Sequence, residues 1–284
     1  MSGRLFIIAT PVGNLSDLTF RIKEALQESA YVLAEDTRVS LRLLSHLGIS
    51  KKLVSCHEFN EAARLDLLLE VVRDDLSIAL VSDAGTPLVS DPGAIIVKAA
   101  IELGITTIPI PGPSAFLLAL VASGLDAGRF CFEGFLPDKT KEAKKRLLEL
   151  QNEERTMVFY VAPHDVNETL MLIKEILGDR RICLARELTK KFEEFIRGTI
   201  SEILEREQKP RGEYVLVVEG QIPAEKAKAS EAEIKEVIQS RLEDGQRLKL
   251  VATELAAVYG LSNSAIYKLG LDMKREQEGK NQDD

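Results

Sequence analysis

The first half of the chain alternates short apolar runs with longer segments whose apolar positions recur at helical spacing. In the first of these segments, Ile22, Ala25 and Leu26 share one helical face. Alternating strands and helices with short connections predict a parallel, doubly wound α/β sheet. The predicted strands are residues 5–9, 31–34, 53–56, 78–81 and 105–110.

Three of these strands end in loops rich in proline and glycine, at residues 10–19, 82–93 and 111–115. Parallel strands place such loops at one sheet edge, so together they predict a composite ligand pocket. The most elaborate loop also carries Asp83 and Asp91. The alternative is that this loop is only a structural turn, in which the segment around Asp91 caps the next helix.

None of the loops contains G-x-G-x-x-G or G-x-x-x-x-G-K-[ST], the signatures of dinucleotide and nucleoside triphosphate sites. A ligand without phosphate fits better, such as an adenosine-type cofactor that carries an amino acid and a sulfonium.

Four polar residues, Glu35 to Arg38, directly follow the second predicted strand. Because they follow the end of a strand, these four residues are candidates for lining a ligand-binding cleft. Asp36 or Thr37 could instead cap the helix predicted over residues 39–47. The two interpretations are compatible.

In the second half strands predominate, at residues 129–135, 157–162, 182–185 and 214–218, which predicts a mixed sheet. The densest positive cluster of the chain lies between the first two strands. It is either a solvated helix face or a contact for an anionic substrate. The cluster consists of Lys139, Lys141, Lys144, Lys145 and Arg146.

Residues 221–230 have the composition of a linker, and three short helices are predicted at residues 231–243, 248–259 and 262–271. The last two have the spacing of a helix-turn-helix, with Ser262 as the cap of the final helix. A small packing bundle is the alternative. Residues 275–284 are predicted to be disordered.

The composition, 45% hydrophobic and 29% charged over 284 residues, is that of a soluble globular protein. A net charge of −8 disfavours non-specific coating of nucleic acid but allows a local basic patch. Cys56, Cys131 and Cys183 lie far apart and match neither a disulfide framework nor a zinc site. With no signal pattern and no apolar run of membrane length, a reducing, cytoplasmic setting is expected.

Seven ordered motifs resemble the ribosomal RNA small subunit methyltransferase I family of the tetrapyrrole methylase superfamily. The resemblance covers nearly all of residues 5–220, and the tail resembles the family's C-terminal helical domain. The motifs are TPVGNLSDLT, AEDTR, VSDAGTPLVSDPG, PIPGPSA, FEGFLP, RELTK and GEYVLVVEG.

The resemblance implies two α/β domains, residues 1–113 and 114–220, with S-adenosylmethionine in the cleft between them, and a helical tail over 221–284. It implies a homodimer that methylates the ribose 2′-hydroxyl of a cytidine in the decoding region of small-subunit ribosomal RNA. The first loop reads Thr10-Pro11-Val12-Gly13 where tetrapyrrole-methylating members often carry more glycine. This difference in glycine content favours the members of the superfamily that methylate RNA.

The resemblance also assigns cofactor-binding residues in both domains. In the first domain they are Thr10, Pro11, Val12, Gly13, Asn14, Asp83, Ala84, Gly85, Thr86, Pro87, Pro111, Gly112, Pro113, Ser114 and Ala115. In the second they are Tyr160, Val161, Ala162, Gly212 and Glu213.

Methyl transfer from a sulfonium needs alignment and removal of the hydroxyl proton, and no metal is expected. The catalytic candidates are Glu35, Asp36, Arg38 and Lys190, with a carboxylate as base and Lys190 or Arg38 holding a phosphate. Arg186, Glu187 and Glu213 are further charged groups at strand ends, with Arg186 and the basic cluster assigned to substrate. Any of these charges could instead form structural ion pairs. His57 and His164 are left out, because a lone histidine beside a strand end is more often structural.

Two other functions stay open on the sequence alone. One is a tetrapyrrole methyltransferase with the same cofactor site. The other is a non-catalytic RNA-binding assembly factor.

Overall fold

The computed structural model describes residues 3–206, 212–221, 231–243, 246–259 and 262–280. Its contacts divide the chain into two compact units between Gln221 and Ile222. The predicted boundary between residues 113 and 114 falls inside the first unit, between its two sheets, and stays a prediction. Most of the predicted linker, residues 222–230, lies outside the described residues.

The first sheet is parallel throughout, in the order β3-β2-β4-β1-β5. Its strands are β1 (Arg4–Ile8), β2 (Tyr31–Ala34), β3 (Lys52–Ser55), β4 (Ser77–Val81) and β5 (Thr106–Ile110). The intervening helices are α1 (Phe20–Glu28), α2 (Thr37–Leu47), α3 (Leu65–Asp74) and α4 (Ala94–Glu102), with 3-10 turns at Leu15–Asp17 and Glu61–Arg64. The prediction of a doubly wound α/β sheet is confirmed.

Both faces of this sheet are covered, which explains the apolar runs of its central strands β1, β2 and β4. Leu5 and Ile78 face the helices α3 and α4 on one side. Phe6 and Ala79 face α1 and α2 on the other. Helices on both faces leave the loops at the carboxyl edge as the natural place for a ligand.

The second sheet has the order β6-β7-β10-β8-β9, and only its β6–β7 pair is parallel, which confirms the predicted mixed sheet. Its strands are β6 (Phe130–Phe135), β7 (Thr156–Val161), β8 (Arg181–Arg186), β9 (Glu194–Thr199) and β10 (Tyr214–Val218). One face packs against α6 (Thr140–Glu149), α7 (Val166–Leu177) and α8 (Ile200–Leu204). The other packs against α5 (Ala115–Ala122), which begins just after the predicted boundary.

The second unit contains α9 (Glu231–Glu243), α10 (Leu248–Tyr259) and α11 (Asn263–Lys280) around a small apolar core that includes Ile238, Val251 and Ile266. Such a core fits the packing-bundle interpretation. The turn of the predicted helix-turn-helix, residues 260 and 261, lies outside the described residues, although Ser262 does cap α11 by accepting from the Ala265 amide at 3.2 Å. The backbone of α11 runs helically through residues 275–280, where the sequence predicts disorder; glutamate, glutamine, lysine and arginine are good helix formers.

Among the described helices, none is long and apolar enough to cross a membrane.

Candidate active site

The loops that follow β1, β4 and β5 are joined by hydrogen bonds at the carboxyl edge of the first sheet. The backbone amide of Thr10 donates to the Gly85 carbonyl at 2.7 Å, and the Gly85 amide donates back at 3.0 Å. The Thr86 hydroxyl donates to the Pro113 carbonyl at 3.2 Å. The three proline- and glycine-rich loops therefore form one surface, as expected from their position on parallel strands.

A cavity of about 230 Å³ lies where this surface meets the edge of the second sheet. Gly85, at φ +85°, contributes backbone to the first wall; a Cβ there would meet no atom nearer than 3.9 Å. Phe135 and Tyr160 form part of the opposite wall, with ring centroids 5.4 Å apart.

The cavity is strongly acidic. Glu35, Asp83, Asp91 and Glu213 all line it. Burial is the main cause of a raised pKa at Glu35 and at Asp83, and it raises the pKa of Asp91 to about 7. Neighbouring carboxylates contribute as well, because like charges in a small space disfavour ionisation: Asp83 and Glu213 raise the pKa of Glu35, and Glu35 raises that of Asp91. A ligand that carries positive charge would relieve this repulsion.

The β8–β9 connection closes one side of the cavity and carries two residues in the left-handed region, Glu187 at φ +51° and Thr189 at φ +65°. The Glu187 carboxylate pairs with the Lys190 ammonium at 2.9 Å, and both residues line the cavity. Strained backbone of this kind costs roughly 1–3 kcal/mol per residue and clusters at functional sites.

Two glycines make room for this ion pair. A Cβ on Gly212 would lie 1.9 Å from Oε1 of Glu187, and one on Gly13 would lie 2.6 Å from Cγ of Lys190. Both glycines belong to the predicted cofactor set, and each packs directly against a charged side chain of the cavity.

The family model described as Tetrapyrrole (Corrin/Porphyrin) Methylases matches residues 4–204. Ribosomal RNA small subunit methyltransferase I of Haemophilus influenzae is 41% identical over 276 residues, which are 95% of this chain and 97% of that protein. The protein of the same name from Bacillus subtilis is 48% identical over 220 residues, 77% and 75% of the two chains.

The chain belongs to the ribosomal RNA small subunit methyltransferase I family, within the tetrapyrrole methylases.

Solved structures agree on the fold. The methyltransferase CobJ superposes with a TM-score of 0.59 at 20% identity, covering 77% of this chain and 95% of that one. A diphthine synthase superposes with a TM-score of 0.58 at 14% identity, covering 77% of this chain and 90% of that one. As a member of the small subunit methyltransferase I family, the chain is a methyltransferase that uses S-adenosylmethionine.

The cavity of this family member fits that cofactor in the chemistry of its side chains. Carboxylates predominate among the polar side chains that line it, and they suit a ligand with a cationic sulfur and an ammonium group. Bound there, S-adenosylmethionine supplies an electrophilic methyl carbon. The part of the chain that the structure describes contains no group of three His, Cys, Asp or Glu placed to hold a metal ion.

The structure brings about half of the predicted cofactor residues to this cavity. Gly13 and Gly212 lie beside it, under the Glu187–Lys190 pair. The predicted residues that line it are Val12, Asp83, Ala84, Gly85, Thr86, Ala115, Tyr160 and Glu213.

Other predicted cofactor residues lie at neighbouring places. Thr10 and Pro11 line a second cavity of about 240 Å³ that shares Asp83 with the first. Val161 and Ala162 line a third, of about 430 Å³, behind Phe135 and Tyr160. Pro87, Pro111, Gly112, Pro113 and Ser114 shape the loops without lining any of the three, and the Asn14 side chain accepts from the Ser16 amide at 3.0 Å.

The four catalytic candidates separate into two pairs. Glu35 and Lys190 line the cavity, whereas Asp36 and Arg38 do not. Asp36 caps α2 by accepting from the Arg38 amide at 2.8 Å, and its carboxylate pairs with the Arg38 guanidinium at 2.5 Å. Those hydrogen bonds lower the pKa of Asp36 to about 2, which makes it a weak base. The capping interpretation of Asp36 is confirmed.

The predicted substrate cations are mostly engaged in ion pairs. Lys139, directly before α6, pairs with Glu142; on α6, Lys144 pairs with Glu175, and Arg146 with Glu133 and Glu149. Lys141 and Lys145 are exposed and form no ion pair with a described residue. Arg186 pairs with Glu194, with 2.6 Å between Nε and Oε2.

The two histidines left out of the prediction stay outside the cavity. His57 contacts Asn60 through Nε2 at 3.1 Å, and His164 pairs with Asp165 at 3.3 Å on the surface.

Several residues that line the cavity were not predicted from the sequence, above all Val89, Ser90 and Asp91. The second aspartate of the loop was a recognisable signal, but its alternative role as a helix cap obscured it. Phe135 and Leu188 were also missed, and both lie within quoted motifs.

Proposed function

We propose that this methyltransferase methylates the ribose 2′-hydroxyl of a cytidine in the decoding region of small-subunit ribosomal RNA. The observation that carries the proposal is the acidic cavity formed by the TPVG, SDAGTP and PGPSA loops, in a chain whose relatives are named for that RNA. Its substrate would be the free RNA or the assembled subunit.

The residues of the cavity would work mainly by orientation. The joined loops hold the cofactor, and the opposite wall with Phe135 and Tyr160 limits where an acceptor hydroxyl can lie. Alignment of this kind can contribute about 7–11 kcal/mol to lowering a barrier. Removal of the hydroxyl proton by a carboxylate adds roughly two to four orders of magnitude in rate.

The phosphates of the RNA need cations outside the acidic cavity. Lys141 and Lys145 support such a contact, because they are exposed on successive turns of α6 and are not neutralised by a described carboxylate. Lys190 lies at the cavity and is a second candidate. Contact of the C-terminal helices with RNA remains a further proposal.

A tetrapyrrole substrate is disfavoured by the charge of the cavity. Such substrates carry several carboxylates, which the side chains of Glu35, Asp83 and Asp91 would repel.

Transfer of labelled methyl groups separates the candidate functions. Purified protein is incubated with radiolabelled S-adenosylmethionine and with small subunits, free small-subunit RNA or a precorrin. Label in the RNA or the subunit supports the proposal. Label in the precorrin, or cofactor binding without any transfer to RNA, would contradict it, and a lack of cofactor binding would favour the non-catalytic assembly factor.

We also propose a homodimer that resides in the cytoplasm, where ribosomes are assembled. Large apolar side chains on the surface of the first unit support self-association; Phe20 is 89% exposed and Leu41 56%. Sedimentation equilibrium gives the test, with a mass near twice 31.4 kDa expected.

A further inference from the structure

The β8–β9 connection, residues 187–193, exposes an aromatic side chain. Phe192 is 72% exposed, and it follows Lys190, a residue of the cavity wall, by two positions. The Nζ atom of Lys191 lies 5.6 Å from the centre of the Phe192 ring. Single exposed apolar side chains are common on protein surfaces, but this one belongs to the connection that closes the cavity. Its position makes it a candidate contact for a substrate.

Hydrogen bonds within the β8–β9 connection fix its shape. The Lys190 amide donates to the Glu187 carbonyl at 3.0 Å, and the Glu193 amide donates to the Lys190 carbonyl at 3.1 Å. The Thr189 amide donates to the Glu193 carboxylate at 2.6 Å. Phe192 is therefore presented on a backbone that is already ordered. A contact made from ordered backbone loses less conformational entropy on binding.

The carboxylates that follow Phe192 are both engaged. Glu193 accepts from a backbone amide of the connection, and Glu194 pairs with Arg186. Lys191 is exposed and forms no ion pair with any residue in the described part of the chain. Its ammonium group is therefore available to an anion from outside the protein.

A flat aromatic face beside a free cation matches the chemistry of single-stranded RNA. An unpaired base stacks on aromatic rings, and each nucleotide carries a phosphate that a lysine can bind. The cavity itself is acidic, so the phosphates of a bound strand have to be held outside it. Lys191 and Phe192 offer both contacts side by side.

Contact with a second copy of this chain fits the same surface less well. The residues around Phe192 are charged, namely Lys190, Lys191, Glu193 and Glu194. Charged side chains are depleted from the cores of protein–protein interfaces, whereas they are common beside nucleic acid.

We propose that Lys191 and Phe192 form a stacking site for an unpaired base of the RNA substrate, at the entrance to the cavity. Phe192 stacks on the base, and the Lys191 ammonium pairs with a neighbouring phosphate. The site holds the strand so that the adjoining nucleotide can place its hydroxyl in the cavity. This inference rests on the proposed function, because it requires an RNA substrate.

The first test uses fluorescence and needs no turnover. The chain contains no tryptophan, so Phe192→Trp introduces a single indole at the proposed site. Small-subunit RNA should quench its emission, because a base stacked on the indole provides a route for loss of the excited state. Unchanged emission of Phe192→Trp, with RNA binding verified in a filter assay, contradicts the proposal.

A matched control is Phe59→Trp. Phe59 is 92% exposed, but it follows β3, the outermost strand of the first sheet, and its neighbour in the sequence is Glu58 instead of a lysine. RNA should leave the emission of this variant unchanged. Equal quenching of the two indoles would show that RNA does not select the β8–β9 connection, and would also overturn the proposal.

The second test compares affinities for small-subunit RNA at low salt. Phe192→Ala and Phe192→Leu should each lose about 5- to 150-fold, whereas Phe192→Trp should bind as wild type. Leucine keeps the apolar volume but lacks the flat ring, so it separates stacking from simple apolar contact. Lys191→Ala should reduce the slope of log affinity against log salt by about 0.7–1. S-adenosylmethionine affinity should be preserved throughout, because neither residue lines the cavity.

Three outcomes of this second test overturn the stacking site while leaving the proposed function intact. They are wild-type RNA affinity in Phe192→Leu, an unchanged salt slope in Lys191→Ala, and dissociation of a wild-type dimer into monomers in Phe192→Ala. The last would assign Phe192 to a contact between two copies of the chain. Absence of methyl transfer to RNA by the wild-type protein overturns the proposed function, and the stacking site falls with it.

Discussion

Replacing Glu61 by glutamine should loosen the start of α4 and with it the loop that carries Asp91. Glu61 is only 4% exposed, and its two carboxylate oxygens accept from the Gly93 and Ile95 amides. In the variant the amide oxygen can accept from one of them, and the NH₂ group then faces the other donor.

The magnitude follows from these contacts. One buried amide without a partner costs about 1–3 kcal/mol. Losing a negative charge at a helix N-terminus costs about 0.3–2 kcal/mol more. A total of about 3 kcal/mol lowers the melting temperature of a domain of this size by roughly 6–12 °C.

Thermal unfolding followed by circular dichroism measures the effect, and the matched control is Glu58→Gln. Glu58 is exposed in the same loop, so its replacement should change stability by less than about 0.5 kcal/mol. The affinity for S-adenosylmethionine should also fall in Glu61→Gln. Equal melting temperatures for the two variants would refute the view that Glu61 secures α4.

Three further predictions concern the cavity and α6. The folded pKa of Asp91 lies above its unfolded value of about 3.9, so its ionisation destabilises the protein as pH rises toward 7. The unfolding free energy of Asp91→Asn should therefore rise by about 2 kcal/mol relative to wild type between pH 5 and pH 8, after allowance for solvent screening. Urea unfolding measures it, and a free-energy difference that stays constant with pH would contradict this. Gly212→Ala places a methyl group into the Glu187 carboxylate at a residue with φ +73°, so titration calorimetry should show weaker cofactor binding, and an unchanged affinity would argue against that packing. Reversing the charge at Lys141 and Lys145 should weaken RNA binding in a filter assay by about tenfold or more at low salt, with cofactor binding preserved. Lys144→Glu should have a smaller effect, because that lysine is already paired with a carboxylate. Equal losses of RNA affinity would disprove the distinction between paired and unpaired lysines.

Much of the fold could be predicted because its signals are local. The central strands of the first sheet are short apolar runs, and Gly48, at φ +68°, ends α2 directly after the predicted helix. The three proline- and glycine-rich loops could be assigned to one edge, since parallel strands allow little else. The extent of α11 could not, because the tail's composition is compatible with both helix and disorder.

The site was harder to predict because its side chains depend on contacts between distant residues. Glu61 caps α4 from 32 residues away, and no local pattern shows that Asp91 is thereby left free. Likewise, three cations of the basic cluster at residues 139–146 are neutralised by acidic partners, of which Glu175 and Glu133 are remote in sequence. A run of charged residues in the sequence shows only the local composition, whereas the tertiary structure decides which of these charges form ion pairs.

The chemical position of the transferred methyl group tests the central claim most directly. Small subunits labelled from radioactive S-adenosylmethionine are stripped of protein, and their RNA is hydrolysed in alkali, which cleaves only next to a free 2′-hydroxyl. The account predicts label in alkali-stable dinucleotides that contain cytidine. Label recovered only in mononucleotides would place the methyl group on a base and contradict the account.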